Sequence, residues 1–73
     1  MIKSKELSDP NSCLNRAKGN EMVFVLLGRD RAAPVAIRAW INERLYRGKN
    51  VISDPQIQEA LRIIDQMISE QFV

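Results

Sequence analysis

Apolar residues return along this chain with three different rhythms. In the last quarter Ile57, Leu61, Ile64, Ile68 and Phe72 recur every three or four positions, the stripe of an amphipathic helix. Ile63 and Met67 widen that stripe beyond what one partner helix covers. Ser53 or Asp54 stands where a cap is needed, and Pro55 suits the first helical position. Ala33, Ile37, Trp40, Ile41 and Leu45 form a second broad stripe, on a helix that begins near Ala33 or Pro34 and stops at Gly48. Arg31 and Arg38 fall opposite it, while Arg44 and Arg47 follow the Trp40 side to the C-terminal end, where cations suit the helix dipole. The third rhythm is no rhythm: "MVFVLL", residues 22–27, is a continuous apolar run bounded by Glu21 and Gly28, which predicts a short strand buried on both faces.

The remaining segments are read from punctuation rather than period. Residues 1–9 are polar and lysine-bearing and are expected to form a flexible N-terminus, with residues 10–73 as a single small helical domain. Asp9 or Asn11 can cap, Pro10 suits a first turn, and Gly19 with Asn20 can close a helix over about residues 10–18. That helix would turn Cys13, Leu14 and Ala17 inward. The expected fold class is therefore α+β, mainly helical: a short N-terminal helix, one strand and two amphipathic helices. A strand must pair its backbone groups. Within the chain only "NVIS", residues 50–53, looks like a partner, through a right-handed parallel crossover; otherwise the strand pairs with its twin in another subunit.

Size sharpens the second alternative. A chain of 73 residues buries only about 60% of its unfolded surface, and such domains commonly add disulfides, a metal or a second copy. Cys13 is the single cysteine and there is no histidine, so an internal disulfide and a zinc-type ligand set are both excluded. A homo-oligomer is the expectation that remains, with no metal and no cofactor. No stretch reaches the length of a membrane span, Met1 to Asp9 lacks the apolar centre of a signal peptide, and a lone thiol fits a reducing cytoplasm.

Net charge is only +2, too little to imply nucleic acid, but it is unevenly spread. Residues 29–49 carry six basic groups against Asp30 and Glu43, and residues 50–73 carry Arg62 against four acids. This asymmetry predicts either attraction between the two long helices or a basic patch.

Three segments, "SCLNRA", "E-x-x-F-V-L-L-G-R-D-R-x-A-P-x-x-I-R-x-W" and "P-Q-I-Q-E-A-L-R-I-I-D-Q-M", resemble a family of small proteins scattered through phages, prophages and bacterial genomes. Members show a serine-cysteine-x-asparagine-basic-alanine segment, a short apolar strand, an Arg-Asp, an Ala-Pro opening a helix, a tryptophan one or two turns later, and a final E-A-x-x-x-x-D-x-M helix. The match runs from about Ser12 to Met67, and its specificity lies around Asp30, Pro34 and Trp40. The resemblance implies a phage or mobile-element origin and brings no reaction with it.

Four groups of residues are candidates for chemistry. The Gly28–Arg29–Asp30–Arg31 junction leads into a helix N-terminus, where amides and guanidinium forks match a phosphate or carboxylate. Against this, Asp30 can cap the helix itself, leaving Arg29 and Arg31 solvated or paired with Glu43, Glu59 or Asp65. Asn11, Ser12, Cys13, Asn15 and Arg16 could line a ligand pocket, or serve as cap and turn groups around a buried packing cysteine. Trp40, with Arg44 one turn away, can stack on a base, but its stripe position makes it core or subunit interface first, together with Ile63 and Met67. Glu59 and Asp65 lie six positions apart on one helix, on different faces, and do not form an acid–base pair. No nucleophile here has an activating base, so no enzyme is expected. The expected function is that of a non-catalytic binding protein of phage or mobile-element type, cytoplasmic, with interference with host defence as its setting. It would act by occupancy on a host protein or host-made ligand, with Arg29, Arg31 and Arg38 presented for recognition. Two alternatives stand beside it: an oligomeric sponge for an anionic small molecule such as a nucleotide signal, and a nucleic-acid-binding accessory protein.

Overall fold

The three helix boundaries marked by Pro34, Gly48 and Pro55 stand where the pattern places them. The computed structural model describes residues 1–72 and contains four helices: α1 (Lys3–Ser8), α2 (Cys13–Arg16), α3 (Ala33–Tyr46) and α4 (Pro55–Gln71). Pro34 and Pro55 sit in the first turns of α3 and α4, where a missing N–H costs nothing. Gly48 ends α3 with φ +67°, and its N–H donates to Leu45 O at 3.1 Å while the Lys49 N–H donates to Arg44 O at 3.0 Å. Those two bonds satisfy the last carbonyls of α3 as a Schellman motif, which needs a residue at ease in the left-handed region.

α3 and α4 pack as a helical hairpin, and the core lies between them. Ile41 from α3 meets Ile57, Ala60 and Ile64 from α4, with Ile37, Leu45 and Leu61 packed around them. Ala33, at the start of α3, is also fully buried. The predicted stripes are buried only in part: Trp40, expected in the core or an interface, is 39% exposed at the edge of α3, and Ile68 and Phe72 run on past the contact and stay exposed.

No residue between 1 and 72 is in a β-strand, so the expected α+β class is corrected to all-helical. Residues 22–27 are extended but unpaired, and their apolar side chains are mostly in the open. The reason is the fate of the proposed partner. Residues 50–53 are part of the α3–α4 connection, not a second strand. Asn50 Nδ2 donates to Asp54 Oδ2 at 2.9 Å, the Val51 N–H donates to the same oxygen at 3.1 Å, and Gln58 Nε2 donates to Ile52 O at 2.7 Å. With those groups committed to a loop, the apolar run has no strand of its own chain to join.

The N-terminal limb also departs from expectation. The residues expected to be a loose terminus wind into α1, although none of its residues is buried. The helix expected over about residues 10–18 shrinks to α2, because Ser12 rather than Asp9 or Asn11 is the cap: its Oγ accepts from the Asn15 N–H at 3.1 Å. The following turn is closed by Glu21, whose Oε1 accepts from the Lys18 N–H at 2.9 Å, and Gly19 does not take a left-handed conformation. Cys13 and Leu14, expected inward, are exposed.

The result is open for its mass. Accessible surface is 6076 Å², against about 4,600 Å² for a compact chain of this size. The radius of gyration is 13.0 Å, against about 11 Å.

Candidate functional site

The arginine corner is held by its own acid. Asp30 Oδ1 accepts from the Ala32 N–H at 2.9 Å, and Asp30 O accepts from the Ala33 N–H at 3.0 Å. Two of the free amides at the start of α3 are thereby taken. Gln71, at the far end of α4, donates from Nε2 to Gly28 O at 3.0 Å and to Asp30 O at 2.9 Å, which fixes the corner to the hairpin. Arg29 and Arg31 are exposed beside a hollow of about 190 Å³ that Gly28, Gln71 and the acid Glu70 also line. Arg31 lies over the Phe72 ring at 5.6 Å. Among the described residues neither arginine pairs with Glu43, Glu59 or Asp65. Glu43 binds Arg47 at 2.6 Å, and Glu59 receives the Met1 amino group at 3.2 Å. Among the described residues no ion pair joins α3 to α4, and Arg29, Arg31 and Arg38 are left at the surface.

The Asn11–Arg16 cluster is a clasp. Ser12, 7% exposed, donates from Oγ to Glu6 O at 2.6 Å. Asn15 shares its Nδ2 hydrogens among Glu6 O, Leu7 O and Asp9 O at 2.9–3.0 Å. Together they satisfy the terminal carbonyls of α1, groups that a helix end leaves without partners. The Asn11 N–H donates to Asp9 Oδ1 at 2.9 Å, and Arg16 Nη2 reaches Cys13 Sγ at 3.4 Å. Asn11 and Arg16 keep their side chains at the surface; Ser12 has its hydroxyl committed on both sides.

Trp40 and Arg44 brace the hairpin loop. The Arg44 guanidinium stands 5.7 Å from the Trp40 ring, and its Nε donates to Asn50 Oδ1 at 2.6 Å. Asn50 in turn donates to Asp54, so a relay runs from the indole to the start of α4. The Asn50 hydrogen bond, helped by the Val51 N–H and opposed by desolvation, holds the Asp54 carboxyl below its ordinary value of 3.8.

Ile63 and Met67 line an apolar cleft of about 740 Å³. Its walls are the outer side of α4, the extended segment Val23–Gly28, and Ile2, Leu7 and Leu14 of the N-terminal limb. The role of α1 in this wall had no signature in a polar, aperiodic terminus.

A second surface, with no counterpart among the expected sites, runs along α3. Val35, Ala39, Asn42 and Tyr46 are spaced by four, three and four, one face of α3 opposite the core. Val35 is 72% exposed and Tyr46 86%, and Arg38 on the same helix is exposed as well, whereas Arg31 precedes α3 and lies over Phe72. α3 is apolar on both sides, and only one side has a partner.

Among the described residues no helix is long and apolar enough to cross a membrane, and no group of three or more acidic, cysteine or histidine side chains is placed to hold a metal. Comparison with known protein families, curated proteins and solved structures finds no match.

Proposed function

We propose that this chain is a non-catalytic binding protein of phage or mobile-element type that acts by occupying a host protein. The observation that supports it is the outer face of α3: Val35, Ala39 and Tyr46 in the open, with the exposed Arg38 on the same helix and paired to no carboxylate among the described residues. A helix that offers an apolar strip and a basic edge fits a groove with an apolar floor and an acidic rim. The origin follows the resemblance of the Ser12–Met67 segment to small phage proteins.

The anion-sponge reading has weaker support. Its seat at the start of α3 is filled by the Asp30 carboxylate, and Glu70 shares the hollow with Arg29 and Arg31. An incoming phosphate would meet two negative charges there.

The test couples capture with thermal stability. The wild-type chain retains a protein with an acidic surface from a host extract; Arg29→Ala, Arg31→Ala and Arg38→Ala combined lose it while melting as the wild type does. Undiminished capture by the triple variant removes the basic edge from the proposal. Stabilisation by nucleotides or phosphate, about 2.7 kcal/mol at a hundredfold the dissociation constant, moves the function to the sponge.

A further inference from the structure

The extended segment Met22–Leu27 combines two properties that rarely coexist in a finished fold. Its side chains are apolar and open to water, Met22 at 97% and Phe24 at 86%, with Val23, Val25 and Leu27 each at least half exposed. Its backbone is equally unsatisfied: from Met22 to Leu26 no N–H and no carbonyl has a hydrogen-bond partner among the described residues. Both ends are nevertheless fixed. The Glu21 N–H donates to Lys18 O at 3.0 Å on one side, and on the other the Asp30 N–H donates to Leu27 O at 3.0 Å while Gln71 holds Gly28 O. A β-rich sequence that runs without turn or bend between two fixed ends, with a free edge, is a template for one more strand.

We infer that the occupant of this edge is the same segment of a second copy of the chain, paired antiparallel across a twofold axis to form an intermolecular two-stranded ribbon over the apolar cleft. Three observations select a second copy. The chain offers no other unpaired β-rich run, since residues 50–53 are bound into the α3–α4 loop. The surface in excess of a compact chain of this mass is about 1,500 Å², well above the roughly 800 Å² per partner that a stable dimer buries. The free edge also adjoins the 740 Å³ cleft, which the apolar strand residues of an apposed copy would cover together with Ile63 and Met67. A twofold axis perpendicular to the segment makes the contact isologous, so it closes at two copies. This inference does not depend on the outer face of α3, which lies on a different element and stays free in the dimer.

The test uses proline to ask which edge is paired. In an extended strand successive N–H groups point to opposite edges, so Phe24→Pro and Val25→Pro each remove a donor from a different one. Sedimentation equilibrium of the wild type is expected to give twice the chain mass of 8.4 kDa. One proline variant is expected to dissociate roughly a hundredfold more readily, with helical circular dichroism unchanged in both. Amide exchange at alternate residues of 22–27, those facing the paired edge, should be slow in the wild type and fast in the dissociating variant; dissociation of both variants with helices intact also supports the ribbon. A wild-type monomer with fast exchange there, a dimer indifferent to both prolines, or an assembly larger than two overturns it.

Discussion

The helical hairpin and the N-terminal limb are built from equally apolar sequence and held by different forces. Residues 33–71 close around Ile41, Ile57, Ala60 and Ile64, and backbone hydrogen bonds run almost unbroken through two helices. Residues 1–28 contain Ile2, Leu7, Leu14 and the whole 22–27 run, yet the one buried residue among them is a serine. What holds the limb is a clasp of side-chain to backbone hydrogen bonds from Ser12 and Asn15. The difference lies in partners. α3 and α4 each present a stripe to the other, whereas the limb's apolar residues face a cleft and an open edge. Apolar content does not itself produce burial; a complementary surface in reach does.

That contrast predicts a hierarchy of damage. The largest loss belongs to the hairpin core. Ile57 is fully buried, and Ile57→Ala should cost about 2–5 kcal/mol, a large share of the roughly 4–11 kcal/mol available to a domain of this length. Thermal unfolding would show it as a depressed melting temperature for the entire chain. A loss below 1 kcal/mol would mean that the hairpin is not the stabilising half.

Ser12→Ala strikes the limb instead. It removes a buried hydroxyl that serves both Glu6 O and the Asn15 N–H, and should cost about 2 kcal/mol. The cost should be local. Amide exchange in α1 and α2 should accelerate while α3 and α4 keep their protection, because the limb can open without exposing the Ile41–Ile57 core. Uniform acceleration across all four helices would erase the distinction between the two regions.

The same division governs what could be read in advance. α4 was legible because proline and stripe stand within a few residues of one another, and α3 was legible from Pro34 to Gly48 for the same reason; the expected cap at Asp54 holds in position only, since its carboxylate binds back to Asn50 and Val51 and not to the first turn of α4. The clasp was half legible. Ser12 and Asn15 are recognisable as cap and turn residues, but that they serve α1 required knowing that a polar, aperiodic terminus coils at all. The run 22–27 misled because β-propensity reports on a side chain's comfort in a sheet and says nothing of where a second strand would come from. Gln71 was beyond reach: its bonds to Gly28 and Asp30 span more than forty residues and leave no periodic trace. For the candidate site, Arg29, Arg31 and Arg38 were found as exposed charges, while Val35, Ala39 and Tyr46 were masked by the broad apolar content of α3. Their spacing was there to be seen once the opposite face had been given to the core.

The smallest effect sharpens the comparison inside the hairpin, at the one place where it too relies on polar side chains. Asp54 accepts hydrogen bonds from Asn50 Nδ2 and the Val51 N–H, and the bond from Asn50 is the main reason its carboxyl titrates below 3.8. A carboxyl that is more acidic in the folded chain than in the unfolded one favours folding while ionised. That contribution is complete above the unfolded value of 3.8 and fades as the pH falls through the lower folded value. Asp54→Asn keeps the shape and removes the titration. The gap in melting temperature between wild type and Asp54→Asn should therefore be constant above about pH 5 and should narrow below 3.8. Added salt should leave most of it in place at neutral pH, since hydrogen bonds rather than distant charges sustain it. A gap that persists undiminished at pH 2 would show that Asp54 acts through shape alone, and the Trp40–Arg44–Asn50 relay would then end in packing rather than in charge.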